Sequence, residues 1–188
     1  MPYSVVLCRH TQTDHNVRRI FSGQLDVPLN STGIGQANTL APRVAGLGGI
    51  CIVLGSNLQR AAYLAERIGK LAGVRVKLTP DLREASVGQL EGLTRAQFPQ
   101  KCQGEKFHTS NPDFDFRSVG GERAADVIER QLRALRRAEP YLELSGAQTA
   151  RVVVVGHGTA LRTLFQHRLG AIRELHEQGD YQEVAWPL

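Results

Sequence analysis

YSVVLCRHTQT, residues 3–13, joins a predicted strand to a charged turn and decides the fold class. Its first part, Tyr3–Cys8, is a mostly apolar run with adjacent valines, which is typical of a strand buried on both faces of a parallel sheet. The run ends directly at Arg9 and His10. Because open α/β sheets bind ligands beyond the carboxyl ends of their strands, these two residues stand where a functional site is expected.

The rest of the chain repeats this pattern of an apolar strand followed by a helix. Strand-like runs recur at Ile50–Leu54 and Val152–Val155, with a weaker one at Val74–Leu78. Apolar residues at helical spacing occupy the intervening stretches Ser31–Val44, Asn57–Leu71, Ala124–Leu142 and Thr159–Leu169. The alternation predicts a single α/β domain over residues 1–188, with a doubly wound, mostly parallel sheet and helices on both faces.

Residues 85–121 have the weakest periodicity of the chain. Long irregular segments in enzymes are often functional, so we expect this segment to form an excursion that covers the site. Two roles stay open for its aromatic side chains, which either line the cover or pack in its core: Phe98, Phe107, Phe114 and Phe116.

Charged and polar residues follow the other strands at the same edge of the predicted sheet. The second strand leads to Arg60, the third leads to His157 and Gly158, and Glu84 follows the weaker strand. A neutral imidazole is a good nucleophile toward phosphorus, and guanidinium groups match phosphoryl oxygens. The Gly158 turn opens a helix whose N–H groups favour an anion, and a carboxylic acid can protonate a leaving oxygen. The set therefore indicates phosphoryl transfer through a covalent histidine.

Composition excludes several other classes. The chain has 188 residues, 41% of them hydrophobic, and a formal charge of +5. No apolar run approaches the ~20 residues that cross a bilayer. Aromatic residues make up only 6% and the basic residues are scattered, which argues against nucleic-acid binding. The three cysteines lack metal-ligand spacing. We expect a cytoplasmic protein with no cofactor, metal, membrane or nucleic-acid partner and a small phosphorylated substrate; no pattern indicates an oligomeric state.

Taken together, the motifs resemble those of the histidine phosphatase superfamily, the phosphoglycerate mutase-like proteins. The resemblance extends over about residues 3–168 in the family's order. It is carried by Arg9-His10-Thr11-Gln12-Thr13 with Asn16, by residues 21–29 (FSGQLDVPL), by residues 56–61 (SNLQRA), by Leu82-Arg83-Glu84, by Gly120-Gly121-Glu122 and by Val155-Gly156-His157-Gly158.

The resemblance implies a role for each matching residue. His10 would be the nucleophile that becomes phosphohistidine. Glu84 would protonate the leaving group and then deprotonate water. The phosphoryl group would be held by Arg9, Arg60 and His157. Asn16, Ser22, Gly23 and Gly158 would bind the substrate.

Thr11 departs from the family pattern, in which glycine follows the nucleophile. The threonine either restricts the backbone and adds bulk near the phosphate, or donates its hydroxyl to the phosphate. Arg18 and Arg19 are also open, because they could contact a second anionic group on the substrate or simply face solvent.

The expected function is that of a histidine acid phosphatase-type phosphoric monoester hydrolase, which needs no metal and acts on a small phosphorylated metabolite. The nearest alternative is a cofactor-dependent phosphoglycerate mutase. Mutases of the family are longer and have a larger insertion after the acid, so the length favours a phosphatase. A catalytically weak binding protein on the same fold is the third possibility, and Thr11 is its main support.

Overall fold

Five strands of the described chain form one sheet. The computed structural model describes residues 3–145, 150–169 and 178–186. Its strands are β1 (Tyr3–Arg9), β2 (Ile50–Ser56), β3 (Val76–Thr79), β4 (Arg151–Gly156) and β5 (Tyr181–Trp186). Their order is β3-β2-β4-β1-β5, and only β5 runs antiparallel to its neighbour. The prediction of a mostly parallel α/β sheet is confirmed.

The helices lie between the strands, as the apolar spacing predicts. They are α1 (Asp14–Val17), α2 (Ser31–Ala45), α3 (Gln59–Ala72), α4 (Ala124–Arg136), α5 (Glu139–Ser145) and α6 (Gly158–Leu169). The single helix predicted over Ala124–Leu142 is wrong, because the structure divides it into α4 and α5. Pro140 lies in the first turn of α5, where its missing N–H costs nothing, but it could not continue α4 without losing a hydrogen bond.

Apolar side chains pack on both faces of the sheet. Alternate residues of each strand point to opposite faces, so Val5 and Val154 lie on one side and Val6 and Val153 on the other. Helices α4, α5 and α6 cover the first face, while α2 and α3 cover the second. These two layers make the sheet rigid and hold the ends of its strands in place.

The segment 85–121 forms an apolar cluster of its own. Short turns of 3₁₀ helix follow one another between Pro80 and Val119. The phenylalanines whose role the sequence left open are buried in this cluster: Phe98, Phe107, Phe114 and Phe116. The rings of Phe107 and Phe114 pack against that of Phe116, and the ring of Phe98 packs against that of Phe21, so these side chains form a core.

Strand β5 was absent from the sequence predictions. Its sequence, YQEVAW, alternates polar and apolar residues and belongs to an edge strand, so it lacks the continuous apolar run of the inner strands. No helix within the described residues is long and apolar enough to cross a membrane.

Candidate active site

The two motif histidines emerge side by side because β1 and β4 are neighbours. Arg9 pairs with Gly156 at the end of the ladder. The backbone N–H of His10 then donates to the carbonyl of Gly156 at 2.9 Å, which extends the pairing by one residue. The ring centroids of His10 and His157 consequently lie 5.1 Å apart.

The ring of His10 is held in one tautomer. Its Nδ1 lies 2.7 Å from the carbonyl oxygen of Thr11. Because a carbonyl can only accept, Nδ1 carries the proton of the neutral ring and Nε2 keeps its lone pair. Burial, together with the charges of Arg60 and Arg9, lowers the pKa of His10 to about 3. The imidazole is therefore neutral at physiological pH, which is the form that attacks phosphorus.

Arg60 is buried, and the backbone around the site fixes its guanidinium. Nη1 donates to the carbonyl of Leu25 at 2.6 Å and Nη2 donates to that of Gly23 at 2.8 Å. Its Nε has no hydrogen-bond partner among the described residues, and neither does Nε of Arg9. Burial lowers the pKa of both arginines. Both guanidinium groups thus keep donors for an anion.

His157 is fully buried beside His10. Neither of its ring nitrogens has a hydrogen-bond partner among the described residues. Burial lowers its pKa well below the usual value, and the charge of Arg60 adds to this effect, so the ring is neutral. Buried polar atoms are nearly always paired in native proteins. Four of the six unpaired buried side-chain atoms in the described chain belong to Arg9, Arg60 and His157, so these polar atoms are concentrated at one place.

Glu84 caps the N-terminus of α6. Its Oε1 accepts from the N–H groups of Ala85 at 2.9 Å and Ala160 at 2.8 Å, and its Oε2 accepts from that of Thr159 at 3.1 Å. Two N–H groups at the start of α6 are therefore engaged by a carboxylate of the protein itself. Gly158 lies against Arg9, since a Cβ at this position would be 3.1 Å from Cζ of Arg9.

A network under Glu84 holds the loop that carries it. Arg130, on α4, donates to both carboxylate oxygens of Glu122, at 2.8 and 2.9 Å. The same guanidinium donates to the backbone carbonyls of Asp81, Arg83 and Glu84. The planar guanidinium thus uses all of its N–H groups and holds the loop rigidly. We call this network of Arg130 the brace.

A cavity of about 270 Å³ opens above these residues. What we call the floor consists of the lining residues Arg9, His10 and Arg60 together with His157, which is fully buried, does not itself line the cavity and lies beside His10. Half-buried or exposed residues form what we call the outer wall: His15, Arg19, Ser22 and Thr109. Glu84 and Thr159 also line the cavity.

The residues expected to bind substrate take different positions around this cavity. Asn16, Ser22 and Gly23 line it, whereas Gly158 is not among its lining residues. Asn16 Oδ1 accepts from the N–H of Thr13 at 2.9 Å, and Ser22 Oγ lies 3.1 Å from Nδ1 of His15. From the segment 85–121, Ala85, Val87 and Thr109 reach the cavity.

A sequence profile of the histidine phosphatase superfamily, branch 1, matches residues 5–184. The chain belongs to this superfamily. The resemblance drawn from the motifs is confirmed, and the sheet with its helices is the fold of a histidine phosphatase.

Several histidine phosphatases are similar to this chain over most of its length. A glucosyl-3-phosphoglycerate phosphatase of Mycobacterium tuberculosis is 32% identical over 163 residues, which are 85% of this chain and 72% of the relative. A probable phosphoglycerate mutase GpmB of Escherichia fergusonii is 34% identical over 192 residues, with coverage of 97% and 86%. A solved structure of the mycobacterial glucosyl-3-phosphoglycerate phosphatase in complex with VO3 superposes with a TM-score of 0.82 at 27% identity, and the match covers 96% of this chain and 90% of that one.

Thr11, the departure from the histidine phosphatase pattern, is integrated into the fold. Its side chain is fully buried, and its hydroxyl donates to the carbonyl of Gly33 at 2.7 Å. Gly33 itself leaves no room for a Cβ, which would lie 2.0 Å from the carbonyl oxygen of Gln12. The hydroxyl proton therefore ties the loop after β1 to the start of α2 and is not directed to a phosphate.

Sequence reasoning missed much of the outer wall and the brace below Glu84. His15, Thr109 and Thr159 are not among the site residues that the sequence predicts, yet all three line the cavity. Arg130 also went unassigned. The motif Gly120-Gly121-Glu122 was one available signal, because a glutamate in a motif with no chemical role needs a partner.

Proposed function

We propose that this histidine phosphatase is a phosphomonoesterase that hydrolyses a small phosphorylated metabolite without a metal ion, through a phosphohistidine at His10. One observation carries the proposal. A neutral histidine with a free Nε2 lies among buried donors of Arg9, Arg60 and His157 that have no partner within the described chain. Such an arrangement suits the oxygens of a phosphoryl group.

In the first step, Nε2 of His10 attacks phosphorus and the bond to the ester oxygen breaks. Guanidinium groups of Arg9 and Arg60, with an N–H of His157, stabilise the charge on the remaining phosphoryl oxygens. The Thr11 carbonyl keeps the proton on Nδ1 and stabilises the imidazole as it becomes cationic. The product is phosphohistidine and a leaving alkoxide that needs a proton.

Glu84 supplies that proton. Oε2 accepts only one backbone N–H, from Thr159, whereas Oε1 accepts two. Since each carboxyl oxygen has two lone pairs, Oε2 has a position left that can carry a proton toward the cavity. In the second step, Glu84 removes a proton from water, the oxygen attacks phosphorus, and inorganic phosphate leaves His10 in its original state.

The size of the cavity supports a small substrate. At about 270 Å³ it lies just below the usual range of ligand pockets, which begins at roughly 300 Å³. The relative named as a glucosyl-3-phosphoglycerate phosphatase supports hydrolysis of a phosphate ester on a small organic acid. We further propose that residues 1–188 act as one catalytic domain in the cytoplasm and that the segment 85–121 covers the site.

Phosphate release and trapping of the intermediate test the proposal. We expect inorganic phosphate from a panel of small phosphate monoesters, unchanged by EDTA, and an acid-labile phosphoenzyme that the His10→Ala variant does not form. The fate of the phosphoryl group distinguishes the mutase, a function suggested by the relative named GpmB. If 3-phosphoglycerate were isomerised in the presence of 2,3-bisphosphoglycerate faster than phosphate appeared, the phosphatase proposal would be wrong.

A further inference from the structure

Arg19 stands out on the outer wall of the cavity. It is exposed, yet it lines the same cavity as Arg9 and His10. Its φ of +54° makes it the one residue other than glycine in the described chain with a left-handed backbone. A bulky side chain in this conformation is uncommon and costs free energy, and such residues cluster at functional sites.

Neighbouring hydrogen bonds hold the backbone of Arg19 in this conformation. Its N–H donates to the carbonyl of Asn16 at 3.2 Å, and the next N–H, of Ile20, donates to the carbonyl of His15 at 2.8 Å. Ile20 also forms an isolated antiparallel bridge with Thr94, so the chain is anchored on its far side. Glycine would meet these constraints without strain. The position therefore keeps an arginine against its backbone preference.

The guanidinium of Arg19 makes no hydrogen bond or ion pair with the described residues. Glu84, the carboxylate that lines the same cavity, accepts hydrogen bonds from the backbone of Ala85, Thr159 and Ala160 and none from Arg19. By contrast, Arg60 on the floor is tied to two carbonyls. Arg19 thus adds a positive charge to the cavity that no group of the described chain neutralises.

Charge balance in the cavity shows what this cation can do. A phosphate monoester dianion carries two negative charges, which match the two guanidinium groups of the floor, Arg9 and Arg60. Glu84 is neutral when it acts as the acid. Arg19 lines the same cavity as these two guanidinium groups, so its charge is available to a further anionic group.

We propose that Arg19 binds a second anionic group on the substrate, a carboxylate or a second phosphate, and so selects phosphate esters that carry two anionic groups, which we call doubly anionic. This inference rests on the proposed phosphatase function and names its substrate class. Because a remote group is held equally in the ground state and the transition state, Arg19 acts mainly on KM. Since the side chain is exposed, its contribution is screened by salt.

The experiment compares substrates that differ in one anionic group. The carboxylate pair is 3-phosphoglycerate and glycerol 3-phosphate, and the phosphate pair is fructose 1,6-bisphosphate and fructose 6-phosphate. For the wild type we expect kcat/KM to favour the doubly anionic member of at least one pair by about tenfold, the lower end for a hydrogen bond between charged groups. The preferred pair identifies the second group, and the preference shrinks as ionic strength rises.

Three variants separate the side chain from its surroundings. Arg19→Gln removes the charge, and Arg19→Gly also suits the left-handed backbone, so we expect it to keep the wild-type Tm. Both should abolish the preference while leaving kcat/KM within about twofold on the substrates whose only anionic group is the phosphate to be hydrolysed. Arg18→Gln is the matched control, because Arg18 is an adjacent exposed arginine that does not line the cavity. This variant should keep the wild-type preference for the doubly anionic substrate.

Two results would overturn the inference. One is a wild type that does not prefer the doubly anionic member of either pair. The other is a preference that persists in Arg19→Gln and Arg19→Gly. A preference that falls as much in Arg18→Gln as in the Arg19 variants would have the same meaning. Calorimetric binding of 3-phosphoglycerate, glycerol 3-phosphate and the two fructose phosphates to His10→Ala, with and without Arg19→Gln, tests Arg19 without turnover. If no phosphate were released but Arg19→Gln still weakened binding of the doubly anionic compounds, the phosphatase proposal would be wrong and the inference about Arg19 would stand.

Discussion

On the floor of the cavity, Arg60 and His157 are buried while nitrogens of both have no partner in the described chain. On the outer wall, Ser22 and His15 hydrogen-bond each other and remain in contact with solvent. Polar atoms of the floor thus stay unpaired within the described chain, whereas His15 and Ser22 on the outer wall pair with each other. From this difference we predict that the chemical step depends on the floor and that the choice of substrate depends on the outer wall.

Replacing one histidine on each level gives the sharpest contrast. His10→Ala removes the proposed nucleophile, so we expect kcat to fall by about 10⁴-fold or more. His15→Ala removes one hydrogen bond to Ser22, and we expect a loss of about fivefold or less. Steady-state kinetics on p-nitrophenyl phosphate measures both. Comparable losses in the two variants would erase the distinction between floor and wall.

Glu84 lines the same cavity as the floor and the outer wall, and the need for its proposed proton transfer depends on the leaving group. In Glu84→Gln the acid is gone, so turnover of sugar phosphates should fall by about 10²- to 10⁴-fold. Hydrolysis of p-nitrophenyl phosphate should fall far less, because p-nitrophenolate leaves without a proton. Equal losses on both substrates would show that Glu84 serves only as the cap of α6.

Arg130 tests whether the floor needs its brace. The side chain is 8% exposed, and Arg130→Met would remove two hydrogen bonds to Glu122 and one to each of three backbone carbonyls. We expect a loss of about 3–5 kcal/mol in the free energy of unfolding, as for other broken buried ion pairs. We also expect a larger fall in kcat on sugar phosphates than on p-nitrophenyl phosphate, because Glu84 loses its position.

The matched control for the brace is Arg123→Met. Arg123 pairs with Asp126 on the same helix turn, but its side chain is 48% exposed. Exposed pairs contribute ~1 kcal/mol or less, so denaturant unfolding should barely change. If Arg123→Met were as destabilising as Arg130→Met, the network under Glu84 would have no special importance.

The buried histidines predict a pH dependence of stability. His10 has a pKa of about 3 in the folded protein and an ordinary one near 6.5 when unfolded. Between these values the unfolded chain binds the extra proton, so the free energy of unfolding falls as pH drops, by up to about 1.4 kcal/mol per pH unit. Urea titrations from pH 7 to 4 should show a smaller fall for His10→Asn. An unchanged slope would mean that burial does not keep His10 neutral.

The sequence predicted the floor well because its residues directly follow strands. Arg9, His10 and His157 each come at the end of a valine-rich run, and parallel strands bring such ends to one edge. The outer wall has no such signal. Arg19 and Thr109 lie in irregular segments, and the packing of the 85–121 cluster decides which of its side chains reach the cavity. Local patterns therefore predict the residues of the floor better than those of the outer wall.

The hydrogen bond from His10 N–H to the carbonyl of Gly156 has a consequence for how the protein acquires activity. It joins residues far apart in the chain, at the last position of the β1–β4 pairing. Long-range strand pairing is slow because the entropy cost of closing the loop comes before the strand contacts that stabilise it. On refolding, helical signal should return first and phosphatase turnover last. The return of enzymatic activity then reports when β4 pairs with β1, the step that brings the two histidines together.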